Sequence, residues 1–172
     1  KEGICKLYKT IKTDEVITTH GATGANHLVL YSLVEPGDHV ISVMPTYQQL
    51  YSIPESFGAH VDILHLKKEN KFLPDIDALR KSVSEKTKVI CINNPNNPTG
   101  ALIPSDILKE IVKIAREEDS YLLCEEVYRS LNQEDIYTES ISDLYEKGIS
   151  VSSMSKVFSL AGVRLGWIAT HD

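Results

Sequence analysis

At 172 residues the chain has the length of one ordinary domain, and its 42% apolar and 24% charged residues fit a globular protein with a real core rather than a disordered segment. A net charge of −6 argues against nucleic acid as a partner and against a basic, lipid-binding surface. No apolar run approaches the roughly 20 residues that span a bilayer, and the opening KEGICKLYKT lacks the apolar centre of a signal peptide, so no membrane association and a cytoplasmic protein are expected.

The cysteines, Cys5, Cys91 and Cys124, are odd in number and far apart, which gives neither a disulfide frame nor a CxxC pair. The histidines show no HExxH or Cys/His spacing, so no metal site is expected.

In chain order, the first β-rich run is EVITTH (15–20), followed by HGATGAN, a turn of small residues that opens a helix over 23–34. Such a turn leaves backbone N–H groups free at the positive end of a helix, which suits a phosphate as well as it suits an ordinary helix start. The Pro-Gly of EPGD closes that helix. A second run, HVISV (39–43), leads into PTYQQLY, which puts Tyr47 at a strand end and begins a helix over 46–57. AHVDILHL (59–66) is a third strand and 75–84 a further helix.

TKVICI (87–92) then ends in NNPNNPTG, a turn rich in asparagine and proline whose amides can donate into a crevice or merely hold the turn. SDILKEIVKIAREED (105–119) is the clearest helix, with Ile107, Leu108, Ile111, Val112 and Ala115 at three- and four-residue spacing and Ser105 placed to cap it. YLLCEEV (121–127) carries Glu125 and leads to Tyr128; a carboxylate in so apolar a strand requires a partner. A helix over 139–147 and strands ISVSS (149–153) and GWIAT (166–170) complete the set, with Lys156 and Arg164 between the last two strands.

Strands alternating with helices predict one α/β domain, a mostly parallel seven-stranded sheet with helices on both faces. Ligands of such sheets gather where the strands end at their carboxyl edge. HGATGAN, Tyr47, the asparagine turn, Glu125 with Tyr128, and Lys156 all fall there. A phosphate seat, a flat aromatic, a carboxylate and a lysine amine together suit a phosphorylated pyridine aldehyde. The amine forms a Schiff base, the carboxylate keeps the ring nitrogen protonated, and the aromatic stacks on the ring.

The order GATGA, PTY, NNPNNPTG, EEVY, SMSK and VRLGW resembles the class I/II aminotransferases, fold type I pyridoxal-phosphate enzymes, over nearly the whole chain. The resemblance implies pyridoxal 5'-phosphate as cofactor, Lys156 as the Schiff-base lysine and mover of the substrate Cα proton, and Tyr47 as the stacking aromatic. It implies Ala22, Thr23, Ser153 and Arg164 around the phosphate, Asn97 and Tyr128 on the ring's phenolic oxygen, and amino acid and 2-oxo acid substrates handled by a homodimer. Glu125 occupies the place of the family's ring-nitrogen aspartate, one methylene longer. Glu126 is no substitute, because adjacent strand residues point to opposite faces. On this resemblance residues 1–172 are the cofactor-binding large domain, and the family's small C-terminal domain, with the arginine that grips the substrate carboxylate, is absent. Transamination is the expected reaction, with β-elimination, cyclisation or a non-catalytic cofactor-binding role as alternatives.

Overall fold

A computed structural model describes residues 1–131 and 138–172. A short helix α1 (Glu2–Cys5) precedes β1 (Val16–His20), α2 (Gly21–Leu33), β2 (His39–Met44), α3 (Gln49–Ser56), β3 (His60–His65) and α4 (Ile76–Ser82). There follow β4 (Thr87–Asn93), α5 (Ser105–Glu117), β5 (Tyr121–Glu125), β6 (Gly148–Ser153) and β7 (Leu165–Thr170). The strands form one seven-stranded sheet in the order β1-β7-β6-β5-β4-β2-β3. Strands β2 to β6 pair in parallel. Only β7 is reversed, antiparallel to β6 and to β1. The mostly parallel seven-stranded sheet expected from the sequence is therefore present.

The period of two along each strand separates two cores. Val40, Val89, Cys91, Leu123, Val151 and Ile168 face α2 and α3, where they meet Ala25, Val29, Leu30 and Leu50. Their neighbours Ile41, Val43, Ile90, Ile92, Leu122 and Cys124 face the other way, onto Leu79 of α4 and Leu108, Ile111 and Ala115 of α5. Each fully buried Leu or Ile contributes about 1.5–3 kcal/mol, so both helix layers are held mainly by this burial. A smaller cluster of Tyr8, Ile11, Val16 and Trp167 ties the N-terminal segment to β1 and β7. There the Trp167 indole N–H donates to the Tyr8 hydroxyl at 2.7 Å, which satisfies a buried donor.

Two local expectations are corrected. Pro104, extended at φ −62° and ψ 155°, is the N-cap of α5, and Ser105 is its first helical residue, with its hydroxyl bonded to Glu139 instead of to the backbone. The helix expected over 139–147 is only a 3₁₀ turn at Ile141–Asp143. Ser140 and Ser142 there hydrogen-bond with Ser150 of β6, and Glu126 accepts from the Ser140 hydroxyl and the Ile141 N–H. Side-chain bonds to a neighbouring strand thus replace the helical ladder. Cys91 and Cys124 are buried free thiols, and burial pushes the Cys91 thiol up to about 12.

Candidate active site

The parallel strands all end at one edge of the sheet, and reversed β7 begins there. That places the residues following β1, β2, β4, β5 and β6, together with Arg164 just before β7, around one opening. A cleft of about 230 Å³ at this edge is lined by Ala22, Thr23, Tyr47, Asn97, Glu125, Tyr128, Ser153, Lys156 and Arg164, with Val127, Ser155 and Ala161. Every residue singled out from the sequence meets in it. Roomier depressions of about 440 and 500 Å³ lie elsewhere, and one of about 320 Å³ adjoins the cleft at Asn97 and Tyr128. None of the three unites a helix N-terminus with a buried carboxylate, so chemistry rather than volume selects the cleft.

At one end of the cleft α2 begins at Gly21, earlier than the sequence indicated, with no side-chain cap at its N-terminus. The Gly21 N–H donates to the Arg164 carbonyl at 2.8 Å, so the turn and the residue before β7 are fixed to each other. Gly21 has φ +70°, and a Cβ there would stand 2.6 Å from Arg164 Nη2. A Cβ on Gly166 would come within 2.3 Å of the Gly21 carbonyl carbon and 2.7 Å of the Ala22 nitrogen. Two missing side chains thus let a guanidinium, a strand and a helix N-terminus converge. The Ala22 and Thr23 amides and the Arg164 fork together form an anion cradle. Arg164 is itself held in the left-handed region (φ 55°) with Nη1 on the Ala161 carbonyl at 3.1 Å.

In the middle of the cleft, Glu125 ends β5 on the α2 side of the sheet, 4% exposed. Its Oε2 accepts from Asn26 Nδ2 at 3.0 Å. Burial pushes its carboxyl up to about 7, opposed only by the Asn26 hydrogen bond. Asn26 is the partner this carboxylate required. Its signal in the sequence is a polar residue on the buried side of an otherwise apolar helix, a pattern that the motif reading passed over. Glu126 points to the opposite face, as the strand period requires. There it pairs with Arg129 at 3.1 Å and accepts from the Ser140 and Ser150 hydroxyls, each at 3.0 Å.

Among the asparagines after β4, only Asn97 lines the cleft. Asn93 donates to the Glu125 carbonyl and accepts from the Asn97 N–H; Asn94 accepts from Ile103; Asn96 donates to the Pro45 carbonyl and the Thr99 hydroxyl. Three of the four amides hold the turn itself. Tyr47, expected as the stacking aromatic, is 40% exposed at the cleft rim. Lys156 is exposed in the connection from β6 to β7, and among the described residues no hydrogen bond or ion pair engages its amine. Among the described residues, no group of three His, Cys, Asp or Glu side chains is placed to hold a metal ion, and no helix is long and apolar enough to cross a membrane.

A reversed strand thus brings an arginine beside a helix N-terminus, a buried carboxylate and a lysine at one edge of an α/β sheet. The sequence pattern of the family described as aminotransferase class I and II matches residues 1–172, and the chain belongs to that family. A PLP-dependent aminotransferase from Streptococcus suis 89-1591 superposes with a TM-score of 0.94 at 52% identity, over 98% of this chain and 45% of that one. The aspartate aminotransferase of Pyrococcus horikoshii is 34% identical over 98% of this chain and 44% of its own length. The LL-diaminopimelate aminotransferase of Methanococcus maripaludis is 32% identical over 92% of this chain and 39% of its own. The chain therefore spans less than half the length of these relatives.

Proposed function

We propose that residues 1–172 are the cofactor-binding large domain of an aminotransferase that uses pyridoxal 5'-phosphate to move an amino group between an amino acid and a 2-oxo acid. The observation that carries this reading is the cradle at Gly21, where two absent Cβ atoms open room beside Arg164 and a free helix N-terminus for a phosphate dianion. A buried carboxylate, an aromatic rim and an amine lie in the same cleft, so the donor set matches the cofactor along its whole length. Family membership and the name of the Streptococcus suis neighbour support it independently.

When bound, pyridoxal phosphate supplies an aldehyde to hold amines and a ring that withdraws electrons from the substrate Cα. The remaining work falls to the chain. Ala22 and Thr23 N–H groups, the Ser153 hydroxyl and Arg164 bind the phosphate, and Tyr47 covers one face of the ring. Glu125 holds the proton on the ring nitrogen. Asn97 and Tyr128 donate to the phenolic oxygen. Lys156 would be the lysine that holds the cofactor aldehyde, and its amine would take the substrate Cα proton and return one. The cytoplasm as location and a homodimer as the assembled state belong to the same reading.

Borohydride reduction of the purified protein with pyridoxal phosphate, followed by peptide mapping, tests this directly. We expect the label on Lys156, and loss of transamination by about 10³-fold or more in Lys156→Ala. A label scattered over surface lysines overturns it. Oxo-acid release that persists without an acceptor 2-oxo acid indicates β-elimination instead.

A further inference from the structure

Asn26 has a peculiar situation. It is fully buried on α2, and its Oδ1 has no hydrogen-bond partner. A buried polar atom left unpaired is costly, so the residue requires a reason other than packing. Its Nδ2 supplies one, because both hydrogens are engaged: one toward Glu125 Oε2 at 3.0 Å, the other toward Gln49 Oε1 at 3.2 Å. Gln49 is the first residue of α3, two positions after Tyr47 at the cleft rim. Asn26 itself sits on α2 just after Ala22 and Thr23, the helix start that lines the cleft. One amide therefore connects the helix of the anion cradle, the buried carboxylate and the helix behind the rim aromatic.

We propose that Asn26 is a positioning residue for Glu125, its amide drawing one carboxylate oxygen onto α2 so that the other is presented to the cleft. Among the described residues Glu125 Oε1 receives no hydrogen bond, which leaves it free for a ligand. Glutamate has one more rotatable bond than aspartate, and an unrestrained carboxylate of that length would sample several directions. The Asn26 contact restricts it to one. Tyr128, Lys156 and Arg164 line the same cleft, while Glu126 is turned to the opposite face, bound to Arg129. The bearing of Asn26 on pyridoxal phosphate rests on the function proposed above; the orientation of Glu125 does not.

The test is infrared titration of the purified protein before pyridoxal phosphate is added. The protonated-carboxyl band of Glu125 is assigned by its loss in Glu125→Gln. In Asn26→Leu, which removes the donor at similar volume, we expect this band at higher frequency and its midpoint raised by about one to two pH units. The affinity for pyridoxal phosphate is expected to fall about tenfold or more in Asn26→Leu, with no further fall when the same change is made in Glu125→Gln. A band and midpoint unchanged in folded Asn26→Leu overturn the proposal. If Asn26→Leu does not fold, the unaltered protein with isotope-labelled asparagine serves instead. The Asn26 amide band is then expected to shift with the Glu125 midpoint, and an amide indifferent to that titration overturns the assignment. Should the midpoint respond while the unaltered protein binds no pyridoxal phosphate, the role of Asn26 stands and the proposed cofactor falls.

Discussion

Arg164 and Gly21 show how much of this cleft depends on single atoms. The guanidinium lies 2.6 Å from where a Cβ at position 21 would stand, so its present approach to the helix N-terminus requires that position 21 lack a side chain. Gly21→Ala adds that carbon 2.6 Å from Nη2 and at φ +70°, and it forces the guanidinium away. We expect folded Gly21→Ala protein with weakened binding of pyridoxal phosphate, read by absorbance titration. Arg164→Lys keeps the charge but loses the planar fork, and a lost charge-assisted hydrogen bond corresponds to about a 10- to 100-fold rise in Kd for the same ligand. The departure at Glu125 is resolved in geometric terms: the longer side chain is buried and hydrogen-bonded to an asparagine, not swung into solvent. Its motif was visible in the sequence, but its partner lies 99 residues earlier on another element. No local pattern carries a contact of that separation.

At the scale of elements, the contact of β7 with the start of α2 decides whether the cleft forms at all. Gly166 stands against the backbone of Gly21 and Ala22, so Gly166→Ala must push strand and helix apart, with rigid backbone on both sides. We expect both a lower Tm and loss of the phosphate seat, unlike the ligand-specific effect at Arg164. Behind the sheet, Glu126 and Arg129 form a buried pair that anchors the turn carrying Tyr128. Glu126→Leu removes the carboxylate facing the guanidinium and leaves it the Leu7 and Thr138 carbonyls and the Tyr8 ring, so a loss of stability below the roughly 3–5 kcal/mol of a fully unpaired buried charge is expected, readable by chemical denaturation.

Strands were legible because alternating and continuous apolar runs bounded by Pro, Gly and Asn have few other interpretations. The amphipathic face of α5 was legible for the same reason. What escaped were features that depend on neighbours across space. Ser105 was drawn to Glu139, and serines 140 and 142 to Ser150. The site residues were readable as motifs at strand ends, whereas the order in which the strands lie side by side was not.

For the whole molecule, the buried carboxylates set a direction for stability against pH. Burial holds Glu125 up at about 7 in the folded chain and also raises Glu126, whereas both take the ordinary glutamate value once unfolded. The folded state therefore binds these protons more tightly. The contribution of Glu125 is full below the ordinary glutamate range and is lost as pH rises through about 7, and that of Glu126 has the same sign. In protein without cofactor we expect Tm to fall between mildly acidic and mildly alkaline pH, and the fall to flatten in Glu125→Gln, measured by calorimetry across that range.

Because β7 runs backwards, Lys156 and Arg164 sit on one connection whose two ends are fastened to adjacent, hydrogen-bonded strands. Most of that connection, from Lys156 to Arg164, is solvent-exposed, including Phe158, Leu160 and Val163. A ligand gripped by both residues would bridge the connection like a clasp, and its binding energy would be added to the cost of local opening. Amide hydrogen exchange in this segment should accordingly be fast in protein without cofactor and slow once pyridoxal phosphate is bound, while the strands on either side exchange slowly in both.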